Sequence, residues 1–129
     1  MTDTTTLRHA AAGTSAARAV RAAAWRFVLQ RASAAVLAVC VVVHLATIVL
    51  AVRHGLTSQA IVARMHANPA WPTFYAVFVI AAAIHAPLGL RAIADEWLHL
   101  RGRVVDLLLA AFAAVLLGLG LFAVQSLAR

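Results

Sequence analysis

The sequence predicts an all-α integral membrane protein whose three transmembrane helices run up, down and up. Of the 129 residues, 64% are hydrophobic and only 12% are charged. A small soluble fold cannot bury that much apolar surface, because a large share of its residues face solvent. Three stretches without Asp, Glu, Lys or Arg are long enough to cross a bilayer, which takes about 20 residues: Ala32–Val52, Met65–Leu90 and Leu107–Ala128.

The distribution of arginine predicts the orientation. The basic residues are all Arg, and eight of them precede the first span, start it, or lie around the second connection: Arg8, Arg18, Arg21, Arg26, Arg31, Arg91, Arg101 and Arg103. Only Arg53, Arg64 and Arg129 fall on the other side. The positive-inside rule therefore predicts a multi-pass protein of the inner (plasma) membrane with a cytoplasmic N-terminus. The net charge of +7 does not indicate nucleic-acid binding, because no soluble basic face exists to carry it.

The first part of the chain divides into a tail and a helix. Residues 1–14 are rich in Thr and Ala without an apolar period, which predicts a disordered cytoplasmic tail, and 15–129 form a single membrane domain. Helix I is predicted over residues 26–52. At its cytoplasmic end lies the polar run Gln30-Arg31-Ala32-Ser33, where Arg31 is either a snorkelling anchor or a ligand contact beside Ser33.

The first connection is predicted to be a surface segment. Its histidines, His54 and His66, have no cysteine or carboxylate beside them to complete a metal site. A short interfacial helix is predicted over Ser58–Met65. The only cysteine, Cys40 in helix I, is predicted to be a small core residue.

Helices II and III are predicted over residues 72–98 and 105–127. Helix II enters the membrane through Trp71, Phe74 and Tyr75, aromatic residues typical of an interfacial belt. Pro87 lies mid-span and is expected to kink the helix. The short connection makes helix III an antiparallel neighbour; its Gly118 and Gly120 permit close packing, and we interpret it as scaffold.

His85 is the residue around which the sequence is organised. An ionisable side chain inside a span is a functional hypothesis by default. Three interpretations are open: a core imidazole bonded to a carbonyl, a member of a proton relay, or an axial haem ligand. The neighbours at three- and four-residue spacing, Ala81, Ala82 and Gly89, form a smooth strip on one face, which favours haem lying in that groove.

His44 lies deep in helix I, and its depth differs from that of His85. If Arg26 and Trp97 are level, counting residues at 1.5 Å each places His44 nearer the outer face by about 9 Å. Two axial ligands of one iron must be level. We therefore expect His85 to take its partner from another chain, and His44 to be either a second, outer haem ligand or a structural histidine.

The motifs around these residues resemble those of a known family. His85-Ala86-x-x-Gly89-x-Arg91, followed by Glu96-Trp97, is similar to the helix II motif of the small membrane-anchor (cytochrome b) subunits of succinate dehydrogenase and fumarate reductase. Gln30-Arg31-x-Ser33 is similar to the signature at the foot of their first helix. The resemblance covers about residues 25–105.

The resemblance implies specific roles. His85 becomes an axial ligand to the iron of a b-type haem, with Arg91 neutralising a haem propionate or a quinone anion. Arg31, Ser33, Glu96 and Trp97 border a ubiquinone or menaquinone. Trp97 replaces a tyrosine of the family and cannot relay a proton, although its indole N–H can donate a hydrogen bond.

The resemblance also implies an electron-transport function. The chain is a non-catalytic anchor that docks flavoprotein and iron–sulfur subunits on the cytoplasmic face, pairs with a second anchor subunit or a copy of itself, and passes electrons to quinone. The open alternatives are a haem-free structural anchor, a small transporter or channel subunit, and a di-histidine cytochrome unrelated to dicarboxylate oxidation.

Overall fold

Four helices make up the part of the chain that the structure, a computed structural model, describes: residues 4–55 and 57–128. They are α1 (Thr4–Arg53), α2 (Ser58–Ala67), α3 (Ala70–Glu96) and α4 (Arg103–Leu127). α1 from Ala12 onward, α3 and α4 are long and apolar enough to cross a membrane. Because no strand occurs in these residues, the prediction of an all-α protein with three membrane-length helices is confirmed.

α1 begins much earlier than the predicted helix I. It is helical from Thr4, so the described part of the predicted tail, residues 4–14, continues the same helix. Alanine has the highest helix propensity, and this segment is alanine-rich even though it lacks an apolar period. Its side chains from Ala12 to Leu29 are exposed. Residues 1–3, Leu56 and Arg129 lie outside the described part of the chain.

α3 is the central helix, because both α1 and α4 pack against it. Its buried residues are three alanines, Ala81, Ala83 and Ala94, which let neighbouring helices approach closely. Its start and end agree with the predicted helix II within two residues, and it continues through Pro87 without interruption. In α1, Cys40 is buried, as predicted.

α2 packs lightly against the start of α3. Thr57 caps it by accepting a hydrogen bond from the Ala60 N–H. Met65 is buried, and the Arg64 guanidinium lies 5.5 Å from the Trp71 ring centroid, within range of a cation–π contact. The predicted short helix in this connection is therefore present, and it ends at Ala67.

The second connection is held by two ion pairs. Arg91 of α3 pairs with Asp106 of α4, and Arg101 pairs with Asp95. Gly102, in this connection, has φ +132°, a conformation that side-chain-bearing residues rarely adopt. These contacts join the end of α3 to the start of α4 at one end of the molecule.

Gly120 sets the spacing between α3 and α4. A Cβ at this position would lie 2.5 Å from Cγ1 of Val79, a β-branched side chain with little rotamer freedom. We expect Gly120→Ala to destabilise the protein by about 1–3 kcal/mol, the usual cost of overpacking. Thermal unfolding in detergent measures the change. Gly118→Ala is the matched control, because no atom of the described residues lies within 4 Å of its added Cβ. Equal melting temperatures for the two variants would contradict the close approach.

Candidate functional site

His85 faces α1 from the middle of α3. Its Nδ1 lies 3.3 Å from the Ser33 hydroxyl oxygen, and that hydroxyl also donates to the Gln30 carbonyl at 3.1 Å. The imidazole is half-buried, whereas Ser33 is buried. Within the described residues, the other ring nitrogen, Nε2, has no hydrogen-bond partner. The site therefore offers one engaged and one available imidazole nitrogen.

The strip of small residues beside His85 lies along the packing surface with α1. Ala81 lines an apolar cavity of about 260 Å³ together with Ala32, Ser33 and Val36 of α1. At Gly89, an added Cβ would lie 3.3 Å from the Gln30 amide nitrogen. Small side chains here allow α1 to approach, which brings Ser33 within reach of the imidazole. That Ala81, Ala82 and Gly89 border haem stays a prediction.

A second, more polar cavity of about 340 Å³ opens further along the same two helices, toward the end of α3. Residues of both charges line it with apolar neighbours: Arg26, Phe27, Gln30, Leu88, Arg91, Ala92, Asp95 and Glu96. The Gln30 amide oxygen is buried and has no hydrogen-bond partner among the described residues. An unpaired buried acceptor costs about 1–3 kcal/mol. This oxygen has almost no accessible surface, so a ligand donor in the cavity reaches it only after the amide group turns.

The four residues predicted to border a quinone have different surroundings in the structure. Glu96 lines the polar cavity, whereas Ser33 lies against His85. The exposed Arg31 lies over the Phe27 ring, 5.5 Å from its centroid. Trp97 is 80% exposed. None of these positions tests quinone binding itself, so the four roles stay predictions.

Sequence reasoning missed Arg26, Gln30 and Asp95 as cavity residues. Arg26 and Gln30 are four apart, and so are Leu88 and Ala92, so each pair shares one helix face. That spacing was the available signal. The spacing does not show which face of α1 packs against which face of α3. It therefore could not predict that the residues of the two helices line one cavity.

Arg91 has a protein partner. Besides lining the polar cavity it forms the ion pair with Asp106, next to a smaller cavity of about 220 Å³ that Arg26 also lines. Arg91 thus makes a structural contact between α3 and α4, and its role in neutralising a propionate or a quinone anion stays a prediction.

His44 lies in an aromatic setting at the opposite end of the bundle. Tyr75 and Phe78 meet its ring edge-on, with centroids 5.7 and 5.8 Å away, and the Tyr75 hydroxyl lies 3.5 Å from Nδ1. A cavity of about 190 Å³ beside it also touches Arg64 and Met65 of α2. The polar groups here are few and the ring is held mainly by packing.

The two intramembrane histidines are far apart along the helices. Ser33 is level with His85, and His44 follows Ser33 by eleven residues, or about 16 Å of helix. Tyr75, level with His44, precedes His85 by ten residues, or about 15 Å. This offset is larger than the sequence estimate, and it keeps the two imidazoles from sharing one iron.

Comparison with known proteins gives one family. The family described as succinate dehydrogenase/fumarate reductase transmembrane subunit matches residues 6–124. No curated protein and no solved structure matches the chain significantly.

Proposed function

The chain belongs to the family of succinate dehydrogenase/fumarate reductase transmembrane subunits, and on that premise we propose that it is an anchor that binds b-type haem and helps form a quinone site. Electrons reach this site from an iron–sulfur subunit. The observation that carries the proposal is His85: a half-buried imidazole in a membrane-length helix, with Nε2 unpaired among the described residues. Family membership also favours an anchor over an unrelated di-histidine cytochrome or a transporter subunit.

The proposed orientation is N-terminus in the cytoplasm, with three helices running up, down and up in the inner membrane. The antiparallel packing of α1 and α3 supports the alternation of direction between them, since Ser33 meets His85 whereas His44, later in α1, meets Tyr75, earlier in α3. The arginine-rich end, with Arg26, Arg91 and Arg101, then faces the flavoprotein and iron–sulfur subunits.

The residues around His85 fit a haem. Neutral imidazole nitrogen is a common iron ligand, and the family premise calls for one. His85 supplies a single ligand at its depth, so the second must come from a second anchor subunit or another copy of this chain. When bound, haem supplies one-electron redox chemistry, while the protein supplies position and electrostatics. Ala82 leaves its part of the helix surface beside His85 free of a large side chain, whereas Gly89 is in contact with α1, since an added Cβ there would lie 3.3 Å from the Gln30 amide nitrogen.

The polar cavity is the proposed quinone site. A quinol hydroxyl can donate to the Gln30 amide oxygen once the amide turns toward the cavity, and a quinone carbonyl can accept from Arg26 or the Gln30 amide N–H. Glu96, which lines the cavity, can hold or release a proton. We place Arg31 and Trp97, both exposed, on the surface that meets the partner subunits.

His44 is proposed to be structural, and its substitution tests this. Since its ring is packed edge-on against Tyr75 and Phe78, we expect His44→Ala to lower stability and leave the haem-to-complex ratio unchanged. The ratio is measured from the reduced haem band and the protein content of the purified complex. A halved ratio would instead identify His44 as the ligand of a second, outer haem.

Purification of the whole complex tests the proposed function. A tagged chain should bring down flavoprotein and iron–sulfur subunits on a gel, and the complex should show a b-type optical spectrum. A colourless complex with normal quinone reductase activity would favour the haem-free anchor. A coloured chain without those subunits would contradict the role of an anchor.

A further inference from the structure

We propose that Ser33 is a positioning residue for His85: its hydroxyl fixes the ring proton on Nδ1 and leaves the lone pair on Nε2. This inference rests on the proposed haem-binding function. It reassigns Ser33 from the quinone, where the motif resemblance placed it, to the imidazole. The structural basis is the juxtaposition of Ser33, the Gln30 carbonyl and the His85 ring across α1 and α3.

The Ser33 hydroxyl has one hydrogen and two neighbours. Its oxygen lies 3.1 Å from the Gln30 carbonyl oxygen and 3.3 Å from His85 Nδ1. The side chain is only 7% exposed, which leaves little access for competing partners. Whether this hydrogen is donated to the Gln30 carbonyl or to Nδ1 therefore determines which imidazole nitrogen carries the ring proton.

Only one assignment satisfies both contacts. A carbonyl can only accept, so the hydroxyl must donate to Gln30. Its lone pair then accepts from Nδ1, which must carry the proton. If the hydroxyl donated to Nδ1 instead, two oxygens would face each other without a hydrogen between them. In a neutral imidazole with the proton on Nδ1, Nε2 is an acceptor and is available as a metal ligand.

This hydrogen bond also affects the ligand's strength. Histidine ligands of metals usually donate their second N–H to a neighbouring group, which fixes the ring orientation and increases the basicity of the ligating nitrogen. A more basic nitrogen favours ferric over ferrous iron. Loss of the Ser33 hydroxyl should therefore raise the midpoint potential of the haem and weaken its binding.

Ser33→Ala in the full complex tests this directly. We expect assembly to persist and haem affinity to fall by roughly tenfold, the lower end for loss of such a partner. The ferrous-to-ferric ratio at fixed ambient potential should rise by up to about tenfold, which for one electron is 59 mV. Redox titration of the haem band gives the ratio, the low-spin electron paramagnetic resonance signal reports the altered ligand, and haem loss on dilution gives the affinity.

Two further variants make the result specific. Ser33→Thr keeps the hydroxyl, and threonine can also donate to a carbonyl in the preceding turn, so it should restore the potential. Ser126→Ala removes a serine hydroxyl that donates only to its own helix, at Phe122, and should leave the potential unchanged. If Ser33→Ala lost its haem and Ser33→Thr regained it, the proposal would also be supported.

The contrary results are distinct. Unchanged potential, resonance signal and haem retention in Ser33→Ala would overturn the role of Ser33 while leaving haem binding at His85 intact. Equal shifts in Ser33→Ala and Ser126→Ala would overturn it as well. An unmodified complex without a b-type band would overturn the haem assignment itself, and the Ser33 proposal with it.

Discussion

His85→Ala is expected to abolish the b-type band that this chain contributes to in reduced-minus-oxidised spectra of membranes. The reason is that an alanine methyl group cannot ligate iron, and no other histidine of this chain lies at the same depth. The nearest intramembrane alternative, His44, is about 15 Å away along the helix. Electron paramagnetic resonance of the purified complex should lose the corresponding low-spin signal.

His66→Ala provides the control for this substitution. His66 is exposed on α2, and no cluster of three or more His, Cys, Asp or Glu side chains capable of holding a metal occurs in the part of the chain that the structure describes. The reduced-minus-oxidised spectrum of the His66→Ala complex should equal that of the unmodified complex. An unchanged b-type band in His85→Ala, with the subunits still assembled, would show that the iron is held elsewhere.

The apolar runs predicted the membrane helices well because bilayer thickness imposes a minimum length. The ends of α3 and α4 lie within two residues of the predicted ones. The start of α1 was not predictable in the same way. Residues 4–14 carry no apolar period, and their helical state follows from alanine content instead.

The register between α1 and α3 could not be predicted from the sequence. The assumption that Arg26 and Trp97 are level is off by about one turn, because Ser33 meets His85 and counting along both helices from that contact makes Arg26 level with Ala92. Register depends on where small residues such as Gly89 let α1 approach, and this is a property of two surfaces together. One sequence shows each surface but not how they align.

The same limitation explains which candidate residues could be assigned a role from the sequence and which could not. His85 was identifiable because an ionisable residue in a span is exceptional on its own. Ser33 and Gln30 were visible in the sequence as a polar run, but their roles depend on what faces them. In the structure, Ser33 contacts an imidazole and Gln30 lines a cavity, so neighbouring residues of one motif lie in two different places.

Gln30 provides the sharpest test of the second site. Gln30→Leu keeps the side-chain volume and the backbone carbonyl that accepts from Ser33, and removes the buried amide oxygen and its N–H groups. If these groups bind the quinone head, quinone reductase activity should fall by about one order of magnitude. The reason is that a polar group of the quinone is then left unpaired, which costs about 1–3 kcal/mol of binding free energy. Steady-state kinetics with varied quinone should show most of the change in KM.

The haem band separates this effect from damage to the neighbouring site. Gln30→Leu should keep its b-type spectrum, because the contact between Ser33 and His85 does not involve the Gln30 side chain. Gln59→Leu, the same change at an exposed position of α2, should match the unmodified enzyme in KM and in colour. An unchanged KM in Gln30→Leu would remove the polar cavity from quinone binding. The unpaired amide oxygen also lowers the stability of the complex when no quinone is bound. We therefore expect the Gln30→Leu complex without quinone to melt at a higher temperature than the unmodified complex. The melting temperature thus tests the buried acceptor independently of turnover.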